Sequence, residues 1–322
     1  RVVHVIPLLE PIRPDLEQAM RLLYGTLAQI GEPLGSELRE AMSGGKCIRP
    51  ALVILVGRLF SAEAAPFHKL AAAVEVLHTA TLIHDDLVDG AALRRGRETL
   101  HTSWSAGVTV LVGDALLAQT AALVAELDRP QILGVFADAL RAMSAGEIEQ
   151  LLTAGKARHS REDYYRRIEA KTASLCAAAT EMASILAEAD EAQTAALRRF
   201  GWELGIAFQM ADDVLDFVGD EAQLGKPAGS DLRQGLVTLP TICYLERASD
   251  STVVDAVLAG RGDEKLVRTA IETIRASGAV AAALEEARLH ARQGQKALAP
   301  LPDGVSRQTL LALIEYAVKR KH

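Results

Sequence analysis

An all-helical fold is what this sequence predicts, on three observations. Alanine and leucine abound while aromatic residues make up 4% of the chain, a composition rich in strong helix formers. Apolar residues recur at helical spacing through most of the length, as at Leu16, Met20, Leu23 and Leu27, the pattern of helices with a buried face. No convincing strand, low-complexity tract or dividing linker interrupts them. With 322 residues and 49% hydrophobic content there is ample material for a large core, so residues 1–322 read as a single all-helical domain.

Pro7, Pro11 and Pro14 punctuate an irregular start, Pro14 lying where a first helical turn tolerates it. The spacing predicts helices over 15–30 and 34–42, the second stopped by Gly44-Gly45. Helices over 50–60 and 64–89 are apolar nearly all round, which marks them as central. Further helices are predicted over 107–127, 130–152, 161–186 and 192–218, then over 239–247, 264–276, 279–298 and 306–319. The glycine-rich segment 224–235 reads as a flexible loop that cannot be regular helix.

Two stretches stand out chemically. Asp85, Asp86 and Asp89 lie in one apolar run, and Asp212, Asp213 and Asp216 in another. Each set has the spacing i, i+1, i+4 near the C-terminal end of a helix, so its first and third members stack one turn apart on one face. Like charges at that spacing repel by roughly 0.2–0.5 kcal/mol even when exposed, and anions oppose the helix dipole there by roughly 0.3–1 kcal/mol. A solvated helix face would explain one such cluster; two in apolar surroundings point to a cation. Mg²⁺ suits best, because it takes one or two carboxylates and completes its octahedron with water and phosphate oxygens.

The formal charge of -7 and the lack of a long basic stripe exclude nucleic acid as the main partner. The basic residues that matter are local: Lys46 and Arg49 after Gly44-Gly45, Arg94, Arg95 and Arg97 around Gly96, Lys171, and Lys226 after Gly225. Guanidinium forks and ammonium point charges are what diphosphate oxygens require, although each alone is an ordinary solvated charge. Glu147 and Gln150 share one side of their helix. Cys47, Cys176 and Cys243 are scattered and odd in number, which fits buried thiols in a reducing compartment. No run of about eighteen uninterrupted apolar residues suggests a membrane span, and the first residues lack the pattern of a secretory signal. The expectation is a cytoplasmic protein.

These motifs resemble those of the trans-isoprenyl diphosphate synthases, or polyprenyl synthetases, and most of all the long-chain members. The resemblance runs through Gly44-Gly45-Lys46-Cys47-Ile48-Arg49-Pro50, His78-Thr79-Ala80-Thr81-Leu82-Ile83-His84-Asp85-Asp86-Leu87-Val88-Asp89, Arg94-Arg95-Gly96-Arg97, Gly113-Asp114, Lys171-Thr172, Phe208-Gln209-Met210-Ala211-Asp212-Asp213-Val214-Leu215-Asp216 and Gly225-Lys226-Pro227, in the family's order. It implies a helical bundle around a deep central cavity, working as a homodimer with three Mg²⁺ ions. Asp85, Asp86 and Asp89 would hold two ions against an allylic diphosphate, and Asp212 with Asp216 a third. Arg94, Lys171 and Lys226 would neutralise that diphosphate, Lys46, Arg49, His78 and Arg95 would seat isopentenyl diphosphate, and Thr172 and Gln209 would lie beside the developing carbocation. The implied reaction is head-to-tail condensation to an all-trans polyprenyl diphosphate, whose apolar tail implies peripheral membrane contact at release.

Three positions depart from the family pattern. Cys47 replaces the more frequent arginine, Glu98 the usual proline, and Leu236 a common lysine, a loss for which Lys319, Arg320 and Lys321 are candidate replacements. In this family the product tail runs beside the first acidic helix, so side chains one turn before Asp85 act as a floor. Ala80 and Thr81 are small there and Leu77 is the next barrier, which predicts a product longer than farnesyl; tight helix packing is the competing reason for small residues. The alternatives are a farnesyl or geranylgeranyl diphosphate synthase, a non-catalytic subunit of a heteromeric prenyltransferase, a class I terpene cyclase and a purely structural bundle.

Overall fold

The computed structural model describes residues 5–41, 45–94, 96–153, 160–218, 228–261 and 263–319. Among the described residues the regular structure is helical except for one antiparallel hairpin, β1 (Leu93–Arg94) and β2 (Arg97–Glu98), with Leu93 opposite Glu98. The chain divides into two compact units.

The first unit takes Arg1–Ala139, Ala178–Arg198 and Pro300–Ala312. A 3-10 turn over Pro7–Ile12 leads into α1 (Arg13–Ala28), α2 (Leu34–Ala41), α3 (Ile48–Leu59) and α4 (Ala64–Val88); after the hairpin come α5 (Leu100–Ser103) and α6 (Ala106–Ala125). Helices α1, α3 and α6 all pack on α4. The sequence requires this: Leu70, Ala71, Ala72, Ala73, Val74, Val76 and Leu77 are all buried, and a helix apolar on every side must be covered on every side. Each fully buried Leu or Val contributes about 1.5–3 kcal/mol. Helix α4 stops in a Schellman arrangement: Gly90 adopts φ +63, its N–H donates to Leu87 O at 3.3 Å, and Ala91 N–H donates to Asp86 O at 3.0 Å.

Helix α6 lies on the core through Thr109, Val112, Gly113, Leu116, Thr120 and Val124, while Val110 and Leu111 on its other side are exposed. It is long and apolar enough to cross a membrane by length and composition, with mean hydropathy 1.8, and 33% of that window is buried. The sequence shows no uninterrupted apolar run here because Thr109, Asp114, Gln119 and Thr120 fall inside the helix.

The second unit takes Leu140–Ala177, Arg199–Ala299 and Leu313–His322. It contains most of α7 (Pro130–Thr153), all of α8 (Arg161–Ile168) and the C-terminal part of α10 (Glu191–Val218). Beyond these lie α11 (Ser230–Arg233), α12 (Leu239–Leu245), α13 (Thr252–Leu258), α14 (Glu264–Ala276), α15 (Ala279–Ala297) and part of α16 (Val305–Lys319). The predicted continuous helix over 161–186 is instead α8, a π turn over Glu169–Ala173, and α9 (Ser174–Leu186). Glycines press on that turn: a Cβ on Gly205 of α10 would sit 2.5 Å from Ala173 Cα, and one on Gly146 of α7 would run into Ala170. The hairpin, α5, α11 and α13 were not anticipated, because elements this short carry too few residues for periodicity to register. Helix α11 also corrects the reading of 224–235 as free of helix.

Polar side chains tie the second unit together. Glu203, 1% exposed on α10, pairs with Arg199 and lies 2.6 Å from His290 Nδ1 on α15. His290 Nε2 is 2.9 Å from the Tyr165 hydroxyl, which donates to Glu286 at 2.7 Å. Arg161 pairs with Glu286 and, at 2.7 Å, with Glu246.

Gly205→Ala should lower the unfolding free energy by about 1–3 kcal/mol through overpacking. Gly25→Ala on α1, where a Cβ would meet nothing within 4 Å, should raise it by about 0.5–1 kcal/mol. Urea midpoints of the two variants against the parent chain test both signs.

Candidate active site

In the first unit the acidic cluster divides by burial. Asp86 is buried, and the hairpin carries Arg94 back onto it: Nε donates to Oδ1 at 2.7 Å and to Oδ2 at 2.9 Å, while Nη2 lies 2.7 Å from Oδ1. This fork supplies the counter-charge that a desolvated carboxylate demands. Asp85 is half-buried, and Asp89 is exposed at the C-cap, its N–H donating to Asp85 O at 2.8 Å. Just before them His84 fixes the rotation of α4: its ring occupies the space a side chain at Gly113 would need, and Nε2 lies 3.2 Å from Val110 O and 3.6 Å from Asp114.

On the same unit Arg49 Nη1 lies 3.1 Å from His78 Nε2. A guanidinium has only protons to give, so the histidine nitrogen accepts. Arg49 Nε is buried and has no hydrogen-bond partner among the described residues, a donor left for an anion. Lys46 is exposed, next to Cys47 in the left-handed region at φ 49. Leu77 and Ala80 are buried within the core, and the Thr81 hydroxyl donates to His78 O at 2.8 Å.

In the second unit the other cluster divides in the same manner. Asp213 is buried, accepting from the Tyr164 hydroxyl at 2.7 Å and from Gln209 Nε2 at 3.0 Å. Burial pushes its carboxyl up to about 7 against the pull of those two donors. Gln209 Oε1 in turn accepts from Thr172 Oγ1 at 2.9 Å, so the hydroxyl spends its proton on the amide and keeps its lone pairs for whatever lies beside it. Asp212 is half-buried; Asp216 is buried and holds the following segment, accepting from Asp231 N–H at 3.1 Å on Oδ2 and from Gly229 N–H at 2.8 Å on its carbonyl. Lys171 sits in the π turn, 3.3 Å from Glu147 of α7.

The structure thus gathers Asp85, Asp86, Asp89 and Arg94 on one unit, with Arg49 beside His78. It gathers Lys171, Thr172, Gln209, Asp212 and Asp216 on the other. Arg95 and Lys226 lie outside the described residues. Sequence reasoning passed over Tyr164, and it named Asp213, His84 and Glu147 without giving any of them a role of its own. Asp213 was visible as the second member of its motif; Tyr164, 49 residues earlier, carried no signal. Among the described residues no three His, Cys, Asp or Glu side chains form a ready-made metal cage. The hard oxygen donors at the surface end of each motif nonetheless fit Mg²⁺, which draws only one or two carboxylates from a protein and the rest from water and phosphate.

Known proteins share this framework. A polyprenyl synthase structure from Caulobacter crescentus, complexed with calcium and isoprenyl diphosphate, is 38% identical and superposes with a TM-score of 0.91, covering 100% of this chain and 99% of that one. The octaprenyl diphosphate synthase of Haemophilus influenzae is 34% identical over 96% of this chain and 95% of its own. Heptaprenyl diphosphate synthase component 2 of Bacillus subtilis is 32% identical over 97% of this chain and 88% of its own. The profile described as polyprenyl synthetase matches residues 33–274. The chain belongs to the polyprenyl synthetase family and is a prenyltransferase.

Asp213→Asn leaves one acceptor oxygen for two donors, so the Tyr164 hydroxyl and the Gln209 amide can no longer both be held as they are and the line to Thr172 is loosened. Turnover should fall about ten- to a hundredfold, with the thermal midpoint within a few degrees of the parent. An unchanged turnover would detach this line of donors from the chemistry.

Proposed function

We propose that the chain performs Mg²⁺-dependent head-to-tail (1′-4) condensation of isopentenyl diphosphate with an allylic diphosphate, giving an all-trans polyprenyl diphosphate longer than farnesyl. The observation that carries this reading is the division of both acidic motifs. In each, the second carboxylate is buried and partnered by the protein, by Arg94 at Asp86 and by Tyr164 and Gln209 at Asp213. The carboxylates around them then serve metal: Asp85 and Asp89 with Asp86 behind them, and Asp212 backed by Asp216, for three ions in all.

Bound Mg²⁺ would supply Lewis-acid stabilisation of the leaving diphosphate. Arg94, Lys171 and Lys226 offset its growing charge as the allylic C–O bond breaks and the electron pair passes to oxygen. Lys46, Arg49, His78 and Arg95 seat isopentenyl diphosphate, the unpartnered Arg49 Nε being a donor that its phosphate would satisfy. Thr172 presents oxygen lone pairs to the cation, because its proton is committed to Gln209. The alkene then forms the new C–C bond and a proton leaves to pyrophosphate. Small side chains at Ala80 and Thr81 let the tail pass, and Leu77 is the next level. The exposed side of α6, with Leu111 67% exposed, suits a second copy of the chain. Ile148, Leu151 and Leu152, all exposed on α7, suit contact with a membrane surface at product release. Buried thiols at Cys47, Cys176 and Cys243 agree with a cytoplasmic setting, and we take the two units to work as one catalytic domain.

A second reading, dependence on a partner subunit, draws on the likeness to a protein named as component 2 of a synthase. One assay separates the two. Purified chain with Mg²⁺, isopentenyl diphosphate and farnesyl diphosphate should give products longer than geranylgeranyl by mass spectrometry, and Asp85→Ala should cut turnover by about two orders of magnitude or more. Termination at farnesyl or geranylgeranyl from shorter primers would reject the chain-length argument, and no turnover from the chain alone would favour the partner.

A further inference from the structure

Glu147 stands beside Lys171 because α7 comes close to the π turn there, with only the Ala170 methyl between the two elements. Gly146 of α7 approaches Ala170 of the π turn so closely that any Cβ on the glycine would strike it, and the next residues along the two elements are Glu147 and Lys171. Their side chains pair at 3.3 Å between Nζ and Oε2, with Lys171 38% and Glu147 19% exposed. The second oxygen, Glu147 Oε1, is buried and has no hydrogen-bond partner among the described residues. A carboxylate desolvated on one oxygen and loosely paired on the other gains from every closer approach of the ammonium. It belongs to neither acidic motif, and the proposed condensation leaves it without a task.

We propose that Glu147 is a positioning residue that competes with diphosphate for Lys171, loosening the hold on pyrophosphate so that it leaves between successive condensations. This rests on the assignment of Lys171 to the diphosphate made above. An enzyme that extends one chain repeatedly must discharge a pyrophosphate in every cycle. A lysine with no local anion would hold the departing product as firmly as the incoming substrate, and binding that is equal in both states slows release without helping the chemical step. Glu147 lowers the cost of letting go, since the ammonium returns to a waiting carboxylate rather than to water. The pair is partly exposed, so its effect is modest and falls with salt.

The test measures pyrophosphate binding in the presence of Mg²⁺ by calorimetry, on the parent, Glu147→Gln, Lys171→Ala and the double variant. Glu147→Gln should tighten binding about two- to fivefold, slow steady-state turnover and leave the first condensation, read in a single turnover, undiminished. Lys171→Ala should weaken binding, and adding Glu147→Gln to it should change nothing further. Should Glu147→Gln fold poorly, Glu147→Asp draws the carboxylate back by one methylene and should tighten binding by a smaller factor. Unchanged or weaker binding in Glu147→Gln, with Lys171→Ala still weakened, overturns the competition while keeping Lys171 on the diphosphate. Unaltered binding in Lys171→Ala overturns the assignment itself and the competition with it.

Discussion

A carboxylate at the end of an apolar helix must be given a partner or it cannot be buried, and the site is arranged around that constraint. The two acidic motifs meet it in different currencies. Asp86 receives a full positive charge from Arg94. Asp213 is hydrogen-bonded by a phenol and an amide, with the Arg167 charge a weaker pull, and desolvation still lifts its carboxyl to about 7. A guanidinium fork offsets the loss of water more completely than neutral donors do. The consequence reaches past the two aspartates. Arg94 requires a hairpin to bring it back, and Gln209, fixed by Asp213, passes a direction to Thr172.

Close approach at glycines is the second theme. Gly113 makes room for His84, Gly146 for Ala170 and Gly205 for Ala173. Each of these contacts lies within a residue or two of a position that bears on the chemistry: Asp85, Lys171 and Thr172. Interiors packed to crystal-like density transmit small displacements, so the absence of a side chain at these points sets where charged groups come to rest. Large apolar residues supply the stability of α4, and Gly113 supplies its placement against α6.

Most of the fold was legible because the long helices carry their period openly. Residues 64–89 were predicted helical and α4 spans Ala64–Val88; 279–298 was predicted and α15 spans Ala279–Ala297. The carboxylate motifs were legible because charge inside an apolar run is conspicuous. What escaped depended on contacts far apart in sequence. The π turn was hidden because residues 161–186 keep an amphipathic pattern straight through it, and its cause lies on α7 and α10. The hairpin is two residues per strand, too short to show alternation, yet it delivers Arg94. Tyr164 looked like any half-polar residue on α8 until the fold set it against Asp213.

The π turn also fixes a phase. Its hydrogen bonds span five residues where an ordinary helical turn spans four, so Glu169–Ala173 carries one residue more than a regular turn would use. A natural variant that lost a single residue from this segment would close into continuous α-helix with its two flanks still in phase, so the displacement would fall on the residues of the turn itself. Lys171 and Thr172 would then keep their identities and lose their bearings. Length is constrained here as well as identity, and the spacing between Tyr164 and Ala173 is as much a part of the site as the residues themselves.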